Sequence, residues 1–305
     1  MTLAVLLIAS SPHAAQAQGA LVGILEGKAT LVRQTTRFEI AEGVALKNED
    51  ILETAPSSFL QIETPEGHRI GLGASSRLLL APTLSRRAAA APRVYLLQGW
   101  AKFTPAVATA PRPAGFTGLT PSFEVEVGSG AVILSSDPKE FAAFVESGAL
   151  KLTARSSTTS GTSRPPLALS AGEFVVERSG EKAVVSGRPA PGFLDQMPRP
   201  FRDPLPARAE RFRGQQIAMK ALGELGYEDI APWLGAEPGL RTPLLPRWRP
   251  RLQDKAFRNA VIARMAVHPE WDPLVFPEKA AQKKAEALAR ARAHRPAAPP
   301  IPAPD

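Results

Sequence analysis

The chain has 305 residues, a formal charge of +8 and 44% hydrophobic content, enough for about two ordinary domains with cores of their own. A charged fraction of 22% argues against wholesale disorder, and an aromatic fraction of 6% leaves core building to aliphatic side chains. The absence of cysteine excludes a disulfide scaffold, a thiolate zinc site, an iron–sulfur cluster and a cysteine nucleophile.

The first residues, MTLAVLLIASSPHAAQAQGA, carry an apolar run from Leu3 to Ala9, a helix-breaking Pro12 and the small-x-small triplet Ala15-Gln16-Ala17. That pattern reads as a signal peptide over 1–17, cleaved before Gln18. No Lys or Arg precedes the run, which fits a start codon further upstream. The run falls short of the ~20 apolar residues a bilayer needs, and no later run reaches that length. The mature chain is therefore expected to be soluble, exported and without a transmembrane segment.

From Gly19 to about Val185 the sequence reads as short strands. In FLQIETPEGHRIGLG, Phe59, Gln61 and Glu63 share one face, and Leu60, Ile62 and Thr64 the other. Pro65-Glu66-Gly67 supplies the turn, and Ile70 and Leu72 resume the alternation beyond it. VYLLQGWAKFTP reads as a strand pair around Gly99, VATAPRPAGFTGLTP as an exposed loop, and FEVEVGSGAVILSS as a hairpin turning at Gly128-Ser129-Gly130. EFAAFVESGALKLTA and LALSAGEFVVER repeat the theme across the polar tract RSSTTSGTSRPP. Short strands at spacings of roughly 8–12 residues argue for an all-β sandwich or roll.

The character changes near Gly187. GRPAPGFLDQMPRPFRDPLPAR is dense in proline yet holds Phe193, Leu194, Met197 and Phe201, so it is expected to lie as a strap across a core. Beyond it, ARAERFRGQQIAMKALGELG reads as a helix ending at Gly226, and YEDIAPWLGA and KAFRNAVIARMAVHPEW as further short helices. PEKAAQKKAEALARARAHRPAAPPIPAPD reads as a basic, Ala-rich helix with a Pro-rich, disordered end.

Chemistry is sparse. The four histidines, His13, His68, His268 and His294, share no metal-ligand spacing. His68 beside a turn is expected to be solvated, and His268 in HPEW to stop a helix. There is no G-x-S-x-G elbow. GLGASS lacks the spacing of either nucleotide fingerprint. Glu124 and Glu126 alternate with valines as the wet side of a strand would, not as a hydrolase pair. No catalytic residue, cofactor site or metal site is identified, and the chain is expected not to be an enzyme.

Charge offers one further clue. From Arg199 onward there are 19 basic against 12 acidic residues, an excess of seven out of the total of eight. LPRWRPRL interleaves Arg247, Arg249 and Arg251 with Trp248, an arrangement suited to an anionic polymer through charge and indole stacking. For an exported chain that polymer would be peptidoglycan or another envelope polyanion, not nucleic acid. The competing reading puts Trp233, Trp248 and Trp271 in a small helical core with the arginines facing solvent.

The segments GKATLVR, AEGVALKNEDILET and SSFLQIETPEGHRIGLGASSRLLL together resemble the FecR domain. Leu46, Asp50, Ile51 and Thr54 stand in the family's second step, and Gly67, Ile70, Leu72, Leu78 and Leu80 in its last strand set. Glu49 departs from the pattern, where the family usually carries glycine before the aspartate. The resemblance covers roughly residues 20–105 and implies a periplasmic β domain that senses or relays through protein contacts. The family's cytoplasmic anti-sigma segment and membrane helix have no counterpart here, so a direct anti-sigma role does not carry over.

The expected organisation is a signal peptide over 1–17, a β-rich FecR-like domain over 19–186, a Pro-rich strap over 187–208, a small basic helical region over 209–278 and a basic Ala/Pro-rich, partly disordered tail over 279–305. The fold class is mainly β, a sandwich or roll of short strands with a small C-terminal helical region. The expected function is non-catalytic binding of an envelope protein in signalling or scaffolding. The alternative is a module for peptidoglycan or another anionic envelope polymer.

Overall fold

The computed structural model describes residues 19–84, 93–106, 115–155 and 164–293. The segment read as a signal peptide and the last part of the tail lie outside these residues. The chain is mainly β, 38% strand and 26% helix, with its helices short and C-terminal and its strands joined in one large open sheet.

Seven short strands come first: β1 (Leu21–Glu26), β2 (Ala29–Arg33), β3 (Thr36–Glu39), β4 (Ile51–Thr54), β5 (Phe59–Glu63), β6 (Arg69–Leu72) and β7 (Arg77–Leu80). Then come β8 (Val94–Thr104), β9 (Phe116–Leu119), β10 (Phe123–Ser136), β11 (Glu140–Ala154), β12 (Leu167–Ser170), β13 (Phe174–Arg178) and β14 (Val184–Ser186). The path β14-β13-β11-β10-β9-β8-β7-β4-β2-β3 ends on β15 (Lys220–Glu224), while β1, β5 and β6 branch from β8.

The β5–β6 hairpin forms as its alternation predicts, with Leu60 opposite Leu72 and Ile62 opposite Ile70. Gly67 sits at φ +86°, the left-handed value its turn requires. Asp50 accepts both arms of the Arg33 guanidinium, at 2.9 and 2.6 Å, and the Lys47 amide at 2.8 Å. The Thr54 hydroxyl ties the Gly73 carbonyl at 2.6 Å and the Ser76 amide at 2.9 Å. Glu49 adopts φ +67°, a conformation that favours glycine.

Three segments read as hairpins or strand pairs are instead single long strands. In β8, Val94 and Leu96 face the main core and so do Ala101 and Phe103, which reverses the odd–even phase. The reversal falls at a register shift before Gly99, which takes φ +97°. β10 and β11 likewise change phase near Gly130 and Gly148, at φ +82° and +79°. A bulge inserts one extra residue and swaps the faces without ending the strand. Glycine signals a turn and a bulge alike, which is why these positions read as turns. The segment read as an exposed loop contributes β9, with Phe116 buried.

The helices follow β15: α2 (Tyr227–Leu234), α3 (Pro238–Trp248), α4 (Lys255–Ala263), α5 (Asp272–Val275) and α6 (Pro277–Ala293), after a short α1 (Pro191–Gln196) inside the strap. The helix expected over ARAERFRGQQIAMKALGELG does not form. A 3-10 turn at Ala209–Phe212 is followed by β15, which pairs with β3. Phe212, Ile217, Leu222 and Leu225 lack the three-and-four spacing of a buried helical stripe, and Gly214 and Gly223 at positive φ interrupt the run.

Burial sorts into three clusters. The largest joins the inner residues of the curled sheet, including Leu60, Ile62, Leu72, Phe103, Val125 and Leu152. On the outer side, Val32, Ile51, Leu79, Tyr95 and Leu97 pack against the helices around Trp233, Trp248 and Trp271. Elsewhere on the outer side, Phe59, Ile133, Ala142 and Phe174 meet Phe193, Phe201 and Leu205 of the strap. The strap therefore covers the sheet, as its apolar residues predict.

Candidate functional site

The strap seam holds three of the buried polar residues, Gln61, Glu63 and Lys102. Gly71 and Gly73 open the trench in which it lies: a Cβ at Gly71 would come within 2.9 Å of the Phe201 ring, and one at Gly73 within 2.6 Å of Pro198. Phe201 meets Phe59 edge-on at 6.1 Å, and Phe193 sits 4.8 Å from Trp100 and 4.9 Å from Phe174.

Polar side chains of the sheet then grip the strap by its main chain. Lys102, only 1% exposed, donates to the carbonyls of Phe201 at 2.7 Å and Asp203 at 3.0 Å, and pairs with Glu146 at 2.8 Å. Three donors thus meet three acceptors, the condition under which a buried ammonium is tolerated. Arg69 donates to the Leu205 carbonyl at 2.6 Å, and Gln61 to the Pro206 carbonyl. Glu63 accepts the Arg208 and Ala209 amides at 2.7 and 3.1 Å. A cavity of about 540 Å³ opens beside this seam, between Arg69, Lys102, Thr104, Glu146, Pro204 and Leu205.

His68 is buried, contrary to the solvated position its turn predicts. Its Nδ1 accepts the Ala106 amide at 3.0 Å and its ring meets Phe116 edge-on at 5.6 Å. Burial, aided by the Arg93 charge, holds its pKa below the ordinary imidazole value.

The arginine–tryptophan cluster is dispersed. Trp248 is 0% exposed in the helical core, so its indole offers no face for stacking. Arg247 donates to the Glu49 carbonyl at 2.6 Å, and Arg251 to the Leu225 carbonyl at 2.8 Å, while Arg251 also lies over the Phe257 ring. Both guanidiniums tie helices to strand ends. Arg249 alone of the three arginines is exposed.

A wider groove of about 1020 Å³ runs between the sheet and the helices, past Leu97, Pro121, Arg155, Pro232, Glu237 and Arg241. Within it the Tyr95 phenol donates to Glu237 at 2.7 Å, and Arg155 bonds both Glu237 and the Thr120 carbonyl. Burial and the neighbouring carboxylate push the Tyr95 pKa far above that of a free phenol. Each group satisfies another, so the cluster acts as a brace between sheet and helices.

Two sheet edges differ in character. Outer strand β15 carries Lys220 and Glu224 and is bent by a register shift at Gly223. Such features blunt an edge against further pairing. Outer strand β14 is Val-Val-Ser, with Val184 60% and Val185 45% exposed, and among the described residues it pairs only with β13. Among the described residues there is no cluster of three or more His, Cys, Asp or Glu able to hold a metal, and no helix long and apolar enough to cross a membrane.

No family model matches the chain, and no curated protein matches it. Among solved structures, two crystal structures of a candidate anti-sigma factor from Parabacteroides distasonis are similar, at 17% and 16% identity. Each match covers 45% of this chain with a TM-score of 0.35, and spans 59% of the other protein's length. A TM-score that low marks a loose likeness only.

The sequence missed Lys102, Glu63 and Gln61 as anchors of the strap, because their partners lie about 100 to 146 positions further along. The one local signal was their polarity within strands that otherwise read as apolar.

Proposed function

We propose that this chain is a non-catalytic binding protein of the periplasm whose β14 edge takes an extended segment of an envelope protein as an added strand. The observation that carries the reading is the bare pair Val184 and Val185 on an outer strand with no charged residue of its own. A partner strand would pair with the free main-chain groups of β14 and cover one valine on each face of the sheet. The same sheet already accepts a distant segment in this way, since β15 joins β3 across some 180 positions of sequence. Signalling or scaffolding then follows from whichever protein supplies the strand.

The reading is tested by placing a photo-crosslinking residue at Val185 and, as a control, at exposed Lys255 in cells that export the protein. A discrete adduct from position 185 alone, lost on combining Val184→Lys with a charged residue at the flanking Ser186, supports strand capture. Identical adduct patterns from both positions would refute it.

A further inference from the structure

Arginines in the sheet and helices are mostly committed to carboxylates: Arg33 to Asp50, Arg77 to Glu53, Arg155 to Glu237 and Arg241 to Glu270. The strap is different. Arg188, Arg199, Arg202 and Arg208 on it, and Arg211 on the 3-10 turn that follows, are all exposed and make no ion pair, while Arg213 just beyond pairs only with its near neighbour Glu210. The acidic residues over 188–213 are Asp195, Asp203 and Glu210, so the strap and the turn after it together keep a net positive excess.

The way the strap is held leaves those charges available. Where Gln61, Glu63, Arg69 and Lys102 bond the strap and the turn that follows it, they bond main chain alone, at residues 201, 203, 205, 206, 208 and 209. Arg202 and Arg208 stand on or between those fixed points. An extended segment normally loses much conformational freedom on binding, and here the sheet has already imposed that order.

We propose that the strap is a preorganised cationic ridge that takes a linear polyanion, bearing repeated phosphate or carboxylate groups, along its outer side. Guanidinium forks suit both groups, since each presents paired oxygens. A polymer fits better than a lipid surface, because Leu194 is the one large hydrophobic side chain exposed on the strap and membrane-seated segments bury a broad apolar face. The proposal places polymer contact on the strap instead of at Arg247–Arg251, and it does not depend on strand capture at β14.

The test measures affinity of the full chain for inorganic polyphosphate and for polygalacturonate at physiological salt. Reversing Arg199, Arg202, Arg208 and Arg211 to Glu should lower affinity about tenfold or more. Reversing exposed Arg249, Lys255, Lys279 and Lys284 to Glu, an equal change in net charge, should lower it less than about threefold, by screened long-range attraction alone. Gly71→Ala, which crowds Phe201 and unseats the strap at constant charge, should weaken binding several-fold, with near-UV circular dichroism confirming a folded sheet. Preference for one polymer identifies the anion chemistry. Equal losses from the two fourfold variants would overturn the proposal, as would binding to anionic phosphatidylglycerol vesicles with neither polymer bound, or no binding to any of the three probes.

Discussion

The outer side of the sheet has two covers, and they are attached by different physics. The helices bury three fully enclosed tryptophans against Tyr95, Leu79 and Ile51, so apolar area is their main hold, with Arg247, Arg251 and the Tyr95–Glu237–Arg155 brace added to it. The strap buries Phe193, Phe201 and Leu205 in its cluster, with Met197 half-buried beside them, and relies on side chains that grip its backbone. Apolar burial is roughly additive in area and tolerant of small shifts. Buried hydrogen bonds are all-or-nothing, since an unpaired group keeps its desolvation cost. The helical cover should therefore behave as part of the global fold, and the strap as a unit that can open on its own.

The sharpest separation comes from removing one anchor on each side. Trp233→Ala is expected to cost about 3–5 kcal/mol in urea unfolding and to lower protection of sheet and helices together. Lys102→Met should cost about 2–3 kcal/mol by orphaning the strap carbonyls, the Glu146 pairing being discounted because that carboxylate is partly exposed. Its loss of hydrogen-exchange protection should be confined to residues 193–209. Protection lost across the whole sheet would break the distinction between the covers. Gly71→Ala should cost about 1–3 kcal/mol by crowding Phe201, with the same local signature.

Acid provides a gentler probe. Burial depresses the pKa of His68 and of His268, so each is more easily protonated in the unfolded chain. Their contribution is complete above the free imidazole value of about 6.5 and is lost as pH falls from there toward the lower folded value. His68→Gln should flatten that part of the stability–pH curve, and adding His268→Gln should flatten the same part further. The smallest effect is expected at Glu49→Gly. Relief of the left-handed conformation is offset by the entropy of glycine and by lost bonds to Thr83 and Arg247, leaving a change within about 1 kcal/mol.

Local patterns were legible where their partners are close in sequence. The β5–β6 hairpin, the turn at Gly67, the short helices from Tyr227 and Lys255, and the apolar strap all follow from alternation, turn chemistry or helical spacing. Asp254 caps the helix from Lys255 by accepting the Phe257 amide at 2.8 Å. Errors arose where one residue type serves two purposes. Glycine at 99, 130 and 148 shifts the phase of a continuous strand yet reads as a turn. His68 is polar and next to a turn, but Ala106 and Phe116 close over it from beyond the hairpin. Trp248 lies in the helical core, as the reading that competed with a binding surface has it, but Arg247 and Arg251 reach backbone carbonyls where that reading left them facing solvent. The candidate sites were the least legible part, because the strap anchors and the bare β14 edge exist only once the sheet has assembled.

Strand β15 also sets an order of events during synthesis. The open side of β3 gains its neighbour only when residues 220–224 have emerged, long after β3 itself can pair with β2. Until then a nascent chain presents an uncovered edge, the kind that recruits other unfinished chains. The closing contact is among the most distant in the molecule, so it should form late and slowly, and chains that have not yet placed residues 220–224, on the ribosome or after translocation, should be the species most in need of a chaperone.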